Sequence, residues 1–375
     1  MERFMNQPLS QRPHLAVFGS DKVGDFVVTT PLLRGLKEKY AAATLDFFGS
    51  ATTCDLEAVC PYIDARFSLY GGPQNDLGEL NAFVAARRAR AGNYDLAINC
   101  DEFSELSLVA VAAVAPGYLV GASLQPDFRC KLPPGDSIRE QMLHDDDWNS
   151  IAFLNRYRRL LTSNYLAEIL CRLAYVETDF FRLEVGWSSP PFAVPEVLLH
   201  LTATRRAKQW VPEYWRTVIS WCKARGLSVG VIGSNLQIER ARYHSSEWEE
   251  QLIAETGMQD LRGATTLPVL AGAFRQARAA VVVDAGPMHL AAAVSCPTVC
   301  IFGNDYDGDG ASPINLWAPR GPQVYLVRTP VKCTVCVERR FKNEVCLIAG
   351  HPCMRELQPE RVIAALERAL ECRQA

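Results

Sequence analysis

The sequence predicts an α/β protein built from two Rossmann-like domains that face each other across a cleft. Short runs of β-branched and aromatic residues alternate with longer segments of helical periodicity, which is the pattern of parallel βα units. The alternation occurs twice, once on each side of a proline-rich segment. A chain of 375 residues also has room for two domains, since one domain takes about 150 residues.

The first series of strands and helices lies in the N-terminal half. It begins with the strand HLAVFG (residues 14–19), and a helix is expected to follow through about Tyr40. Because a helix accepts proline only near its first turn, Pro31 is expected there, with Asp25 at or just before the helix start. The later elements are the strands TLDFFGS, ARFSLYG, YDLAINC and YLVGAS, helices at residues 80–91 and 105–114, an irregular stretch at 124–144, and one or two helices at 149–176.

The segment WSSPPFAVPE (residues 187–196) is the predicted linker, because its three prolines and two serines favour an irregular chain. It separates a domain at residues 1–186 from a domain at residues 197–375. Ligands are expected in the interdomain cleft, at the carboxyl ends of the parallel strands. The second series contains the strand VLLHLTAT, a helix from Pro212, the strand LSVGVIGS, a helix from Ser245, the strand AAVVVD, a helix from Pro287, the strand TVCIFG and an amphipathic helix at residues 359–370.

The composition is that of a globular protein with no general affinity for nucleic acid. Lys and Arg number 39 against 42 Asp and Glu, which gives a formal charge of -3. The most apolar stretch, residues 106–120, is broken by Pro116 and Gly117 and is too short to span a bilayer as one helix. No export signal precedes the first strand, so a cytoplasmic location is expected and most of the 13 cysteines are expected to be reduced thiols.

Asp25 is the candidate catalytic base. It ends the glycine-rich turn GSDKVGD (residues 19–25), which lacks both the GK[ST] ending of a P-loop and the G-x-G-x-x-G of a dinucleotide fingerprint. A carboxylate at this strand-to-helix turn is expected to face the cleft, where it can take a proton from an acceptor hydroxyl. The alternative is that Asp25 only caps the helix.

A helix start in the C-terminal domain is suited to a diphosphate. In DAGPMHLAAA (residues 284–293), Gly286 permits close backbone approach and Pro287 suits the first helical position. The exposed amides of such a helix start can cradle phosphate oxygens. His289 is either a ligand contact or a buried, hydrogen-bonded core histidine.

A basic, hydroxyl-rich loop precedes this helix start in the same domain. In HLTATRRAKQW (residues 200–210), a strand runs into a loop whose Thr202, Thr204 and Lys208 side chains can hydrogen-bond and neutralise phosphate oxygens. The alternative is an ordinary solvated basic loop.

Three motifs together resemble one known family. They are GDFVVTTPLLRGLK, the T-x-x-x-K-x-W pattern around Lys208, and DAGPMHLAAAVSCPTVCIFG, which follow in this order along most of the chain. They look like the ADP-heptose:lipopolysaccharide heptosyltransferases, glycosyltransferase family 9, in which D-[ST]-G-x-x-H-L-A-A-A followed by P-x-x-x-x-F-G is the most specific part. Here Ala285 replaces the usual Ser or Thr and removes one hydroxyl from the nucleotide-side turn.

The resemblance implies a GT-B fold and inverting transfer of a heptose from ADP-heptose to an acceptor hydroxyl. The N-terminal domain then binds the acceptor and the C-terminal domain binds the nucleotide sugar. Asp25 matches the catalytic carboxylate and Lys208 the lysine that stabilises the leaving diphosphate, so that catalysis needs no divalent metal. Either Gln237 or Glu239 matches the acidic residue that holds the donor ribose. The other donor-binding residues are expected to be Thr202, Thr204, Asp284, Gly286, Pro287, Met288 and His289.

The acceptor that the resemblance implies is lipopolysaccharide core, reached from the inner membrane surface by peripheral contact. One alternative is a protein acceptor, as in autotransporter modification, or a small molecule, because donor motifs say little about the acceptor. Another is an inactive nucleotide-binding or assembly protein, against which the retained Asp25 and Lys208 argue. Three basic clusters fit an anionic acceptor or membrane surface, or are simply solvated faces: Arg87, Arg88 and Arg90; Arg156, Arg158 and Arg159; Arg339, Arg340 and Lys342.

The loop DYDGDG (residues 305–310) resembles the start of an EF-hand. The twelfth position from Asp305 is Leu316 instead of the required Glu, so a calcium site is not expected. The loop is expected to be exposed near the donor pocket, with weak metal binding as the alternative.

Four late cysteines have spacing suited to a tetrahedral zinc or iron site. They are Cys333, Cys336, Cys346 and Cys353. Related family members carry a similar C-x-x-C with later cysteines and a following C-M, here Cys353-Met354. A protein-modifying branch of that family binds iron there, so the resemblance is compatible with either iron or zinc. Four thiolates leave no open coordination position, so such a metal is expected to be structural. The alternative is reduced thiols that pack a loop, or incidental disulfides.

Overall fold

A parallel six-stranded sheet lies at the centre of each of the two units into which the chain divides. This computed structural model describes residues 1–72, 77–101, 104–243, 247–303, 313–331, 333, 335–338 and 343–372. The predicted DYDGDG loop and the basic cluster Arg339, Arg340 and Lys342 lie outside the described residues. The first unit comprises Met1–Asp146 with Tyr157–Gly186, and the second comprises Asp147–Arg156 with Trp187–Ala375.

The sheet of the first unit has the strand order β1-β6-β5-β2-β3-β4. Its strands are β1 (Glu2–Arg3), β2 (His14–Phe18), β3 (Thr44–Ser50), β4 (Ala65–Tyr70), β5 (Leu96–Asn99) and β6 (Tyr118–Val120). Its helices are α1 (Val23–Lys39), α2 (Cys54–Ala58), α3 (Leu77–Ala91), α4 (Glu105–Val114), α5 (Ile138–Leu143) and α7 (Leu166–Leu173), while α6 (Ile151–Arg156) belongs to the second unit.

The sheet of the second unit has the strand order β12-β11-β10-β7-β8-β9. Its strands are β7 (Val197–His200), β8 (Val229–Val231), β9 (Gln259–Asp260), β10 (Ala279–Val283), β11 (Thr298–Phe302) and β12 (Val324–Arg328). Its further helices are α8 (Pro212–Ala224), α9 (Leu236–Arg242), α10 (Glu247–Thr256), α11 (Leu267–Gln276), α12 (Gly286–Ala293), α13 (Pro313–Trp317), α14 (Val335–Glu338), α15 (Pro352–Arg355) and α16 (Pro359–Cys372).

The central strands explain the α/β class. Every residue of β2, β7, β10 and β11 is buried, which requires cover on both faces of a sheet. Their sequences are accordingly runs of apolar residues without polar alternation, as in HLAVF and AAVVV. The predicted α/β class with two parallel sheets is confirmed.

Helix α1 departs from the prediction because it holds Pro31 in its interior. A proline has no N–H to donate to the carbonyl four residues earlier, here that of Val27. The neighbouring Thr30 hydroxyl donates to this carbonyl at 2.7 Å and so satisfies it. The helix begins at Val23, so Asp25 lies within its first turn.

Two of the helices that were not predicted, α5 and α9, each begin at a side chain that caps the helix. The Ser137 hydroxyl accepts a hydrogen bond from the Glu140 amide, which starts α5 inside the stretch expected to be irregular. The Asn235 side chain accepts one from the Ile238 amide at 3.0 Å, which starts α9. The apolar stretch at residues 106–120 forms α4 and β6, as expected. Among the helices that the structure describes, none has the length and apolar character needed to cross a membrane.

Neighbouring strands bring the candidate residues of each unit to one edge of its sheet. In the first unit, Phe18 of β2 pairs with Asn99 of β5, so the segments after both strands leave at the same carboxyl edge. In the second unit, His200 of β7 pairs with Val282 of β10. The loop that bears Lys208 and the turn at Asp284 therefore start side by side.

Candidate active site

Asp25 occupies a largely buried position at the carboxyl edge of the first sheet. Lys22 holds the N-cap position of α1, and the Asp25 carboxylate accepts a hydrogen bond from the Ser20 hydroxyl. Burial raises the pKa of Asp25, and the negative charges of Asp101 and Asp21 raise it further, whereas Ser20 and Lys22 act in the opposite direction. The surroundings thus make this carboxyl a weaker acid, and its ionised form a stronger base, than a solvated Asp.

Asp101 is a second carboxylate at this edge, and the sequence pattern did not single it out. Its backbone amide donates to Asn99 Oδ1 at 3.0 Å, and its Oδ2 accepts from the Tyr70 hydroxyl at 2.7 Å. Burial raises the pKa of Asp101, and the Tyr70 hydrogen bond opposes that shift. Its place directly after the strand YDLAINC was the available signal, because carboxyl ends of parallel strands carry sites.

Lys208 and Asp284 form an ion pair in the second unit. Lys208 ends a single 3-10 turn, Arg206–Lys208, and Asp284 follows β10. Their Nζ and Oδ2 atoms lie 2.7 Å apart, with side-chain exposures of 25% and 12%. The structure therefore joins two residues that the sequence placed in separate segments, and it holds an ammonium group next to the start of α12.

The start of α12 has no side-chain cap in the described residues, and its Met288 amide donates to Ala285 O at 3.0 Å. Ala285 takes the N-cap position and Pro287 lies in the first turn. Gly286 and Pro287 are half-buried, while Met288 and His289 are buried beneath them. The positive end of the α12 dipole, together with the Lys208 ammonium, forms a cationic corner suited to an anion.

His289 is neutral and only partly satisfied. Burial lowers its pKa to about 4; nearby Asp284 raises it and Lys208 lowers it. Its Nδ1 has no hydrogen-bond partner in the part of the chain that the structure describes, and its ring meets the edge of Trp317 at 6.4 Å between centroids. The structure thus makes His289 a buried histidine whose Nδ1 finds no hydrogen bond among the described residues.

Glu239 is the acidic residue that the fold brings beside Thr202. The Thr202 hydroxyl donates to Glu239 Oε2 at 2.8 Å, and the Ser234 amide donates to Oε1 at 2.6 Å. A Cβ on Gly233 would lie 2.7 Å from that Oε1, so only a glycine at this position lets the carboxylate approach the turn so closely. Burial raises the pKa of Glu239, opposed by these two donors and Arg262. Two other predicted donor contacts, Gln237 and Thr204, are exposed.

Comparison with known proteins decides the family. The sequence profile of glycosyltransferase family 9 (heptosyltransferase) matches residues 85–345, more than half of the chain. The chain belongs to this family. Membership confirms the predicted resemblance and makes this family 9 chain a glycosyltransferase.

One curated relative and two solved structures give the range of similarity to this family 9 chain. Lipopolysaccharide heptosyltransferase 1 of Pseudomonas aeruginosa is 33% identical over 180 residues, which are 46% of this chain and 47%, about half, of that protein. The E. coli ADP-heptose lipopolysaccharide heptosyltransferase II is 18% identical with a TM-score of 0.65, over 96% of this chain and 100% of that one. The iron-containing dodecameric glycosyltransferase TibC of enterotoxigenic E. coli is 16% identical with a TM-score of 0.55, over 97% of this chain and 80% of that one. At these identities the two structures show a shared fold.

The four late cysteines of this family 9 chain influence one another electrostatically. Burial raises the pKa of the Cys353 thiol to about 12, and the nearby thiols of Cys346, Cys336 and Cys333 contribute to the rise. The other three thiols therefore lie near enough to Cys353 to influence its charge. Within the described residues, however, no group of three or more His, Cys, Asp or Glu side chains is arranged to hold a metal ion.

Proposed function

We propose that this family 9 chain transfers a heptose from ADP-heptose to an acceptor hydroxyl with inversion at the anomeric carbon. The observation that carries the proposal is the Lys208–Asp284 ion pair at the uncapped start of α12. A fixed ammonium group beside helix amides suits a diphosphate leaving group. Family membership supports the transfer, and the names of the relatives point to ADP-heptose as donor and lipopolysaccharide as acceptor.

The proposed reaction is a single displacement. The acceptor oxygen forms a bond to the anomeric carbon while the bond from that carbon to the phosphate oxygen breaks, and Asp25 takes the acceptor proton. ADP leaves with the bonding electron pair, and Lys208 and the amides of α12 stabilise the negative charge that develops. Because these groups supply positive charge themselves, the proposal includes no divalent cation in the chemical step.

The remaining donor contacts divide into polar and packing roles. Glu239 is assigned to the ribose hydroxyls instead of Gln237, because its carboxylate is held beside Thr202 while Gln237 is exposed. Met288 and His289, which are buried under the helix start, are assigned to the adenosine side because they lie in the motif that resembles the family's donor-binding loop. Asp284 orients Lys208, and Thr204 is assigned to a phosphate oxygen.

The acceptor is proposed to be lipopolysaccharide core, reached in the cytoplasm by peripheral contact with the inner membrane. A test of the donor comes first, by calorimetric titration of the purified protein with ADP, ADP-heptose, UDP-sugars and NAD. We expect binding of the two ADP species and none of NAD. Preference for a UDP-sugar would contradict the heptose donor, and absence of all nucleotide binding would contradict transferase activity.

The four late cysteines are proposed to hold a structural iron or zinc ion. Burial raises the pKa of Cys353 and the neighbouring thiols contribute to the rise, and a bound cation would offset this shift by stabilising the thiolates. The similarity to TibC, an iron-containing protein of the same fold, favours iron over zinc. Such an ion would fasten the loop that contains the cysteines; no step of the reaction runs through it.

We expect about one iron or zinc per chain in protein purified without added metal, measured by elemental analysis. The double variant Cys336→Ser with Cys346→Ser should lose the metal, because two of four ligands are removed. Cys372→Ser is the matched control, since this exposed cysteine lies outside the set. A metal-free protein whose thermal stability equals that of the metal-treated protein would contradict the proposal.

A further inference from the structure

The loop that carries Lys208 is held by a segment more than a hundred residues further along the chain. Both backbone groups of Ala207 are engaged: its amide donates to Glu344 O at 2.9 Å, and its carbonyl accepts from His351 Nε2 at 3.2 Å. The residue immediately before Lys208 is thus fixed on two sides. We call residues 344–357 the clasp.

The clasp also holds the chain that follows Lys208. The buried Trp210 indole donates to Leu357 O at 2.9 Å, and the Tyr214 hydroxyl donates to Arg355 O at 2.9 Å. Together with the two bonds at Ala207, these contacts bracket Lys208. A single short 3-10 turn has little intrinsic stability, so its position depends on such external bonds.

His351 is itself held in place within the clasp. Its backbone is left-handed, with φ 50° and ψ 60°, and its carbonyl accepts from the amides of Met354 and Arg355. The proton of His351 lies on Nε2 because that atom faces the Ala207 carbonyl oxygen, which only accepts. Strained backbone of this kind persists where the surroundings fix it.

We propose that the clasp positions Lys208 for the donor diphosphate, with His351 as the positioning residue that acts through Ala207. The inference rests on the proposed function of Lys208 and adds a residue to it. His351 itself touches no substrate: it fixes the peptide that precedes Lys208, and the ammonium group then keeps its place beside Asp284 and the start of α12.

The first test is a double-mutant cycle with ADP as the probe. His351→Asn keeps a residue that tolerates the left-handed backbone but shortens the side chain, so that its hydrogen bond to Ala207 is lost. We expect about three- to tenfold weaker ADP binding by calorimetry, and no further loss when the same change is made in Lys208→Ala. Equal losses in both backgrounds would overturn the positioning role.

A matched pair of tyrosine variants tests whether the weaker ADP binding is specific to loss of clasp contacts. Tyr214→Phe removes the bond to Arg355 O, and Tyr325→Phe removes a similar bond to Arg368 O, elsewhere in the same unit. We expect weaker ADP binding only for Tyr214→Phe. Equal effects of the two variants would contradict the inference.

A second measurement does not depend on ADP. Hydrogen exchange in the ligand-free protein should be faster at the amides of residues 206–210 in His351→Asn than in the wild type, because the loop is less firmly held. Unchanged exchange there would overturn the inference even if ADP binds. Faster exchange in a protein that binds no ADP would retain the clasp and refute the proposed function instead.

Discussion

Replacement of Asp25 by Asn is expected to lower turnover by a factor of about 10² to 10⁴, with the affinity for ADP unchanged. The amide cannot take the acceptor proton, whereas the groups assigned to the diphosphate, Lys208 and the start of α12, lie in the other unit of the chain. Steady-state transfer rates and calorimetry with ADP measure the two quantities. Asp55→Asn, an exposed carboxylate of the same unit, is the matched control. Turnover near that of the wild type would remove Asp25 from the reaction.

The same carboxyl should determine the acidic side of the pH profile. Because burial, Asp101 and Asp21 raise the pKa of Asp25, kcat should fall as the pH falls through this raised value, where the base becomes protonated. Asp101→Asn removes one negative charge and should move the fall in kcat to lower pH. Glu184→Gln is the control for this change, since Glu184 also accepts from a tyrosine, Tyr62, in the same unit. A profile that does not move would mean that Asp101 has no influence on the base.

The pKa shift of Asp25 also has a consequence for stability with a definite sign. A carboxyl whose folded-state pKa is raised favours folding at low pH, and this contribution is lost as the pH rises through the folded pKa. At neutral pH the ionised Asp25 therefore destabilises the folded state. Asp25→Asn should be at least as stable as the wild type in thermal unfolding at neutral pH, although it is nearly inactive. Marked destabilisation would indicate that Asp25 has a structural role.

Replacement of Lys208 by Ala is expected to weaken ADP binding by about ten- to a hundredfold and to reduce turnover as well. The change removes a charge-assisted contact to the diphosphate, which is worth roughly one to two factors of ten. It also leaves the Asp284 carboxylate, now 2.7 Å from Lys208 Nζ, without its partner and next to the incoming anion. Calorimetry with ADP and steady-state rates measure both effects.

The control for this variant is Lys223→Ala, because Lys223 is exposed on α8 of the same unit. It should bind ADP as the wild type does. If Lys208→Ala also retained full affinity and full turnover, the cationic corner at α12 would not be the diphosphate site, and the proposed donor geometry would be wrong.

Much of the fold could be predicted because its central strands are buried on both faces and therefore appear as apolar runs. The runs HLAVF and AAVVV predicted strands β2 and β10 in this way. The rule that proline ends a helix failed where a neighbouring residue makes up for the hydrogen bond that the proline cannot form. The proline in α1 is tolerated because Thr30 satisfies the carbonyl that Pro31 leaves free, and no scan for helix breakers detects this.

The site residues were predictable to the extent that they follow strands in motif-bearing segments. Lys208 and Asp284 are examples, although their contact depends on the adjacency of β7 and β10. The Tyr70–Asp101 hydrogen bond was harder to predict from the sequence, because strands β4 and β5 are separated in the sheet by β3 and β2. The bonds from the clasp to Ala207 join positions more than 130 residues apart and leave no pattern in either segment.

The division of the chain into units has a consequence for protein engineering. Residues 147–156, which include α6 and the fully buried Phe153, belong to the second unit although they precede the last part of the first. The polypeptide therefore crosses between the units three times, after Asp146, Arg156 and Gly186. A chimaera made by a single cut before Trp187 would combine ten residues of one parent's second unit with the remainder from the other. Exchange of one whole unit between family members thus calls for three junctions, with helix α6 transferred together with the C-terminal half.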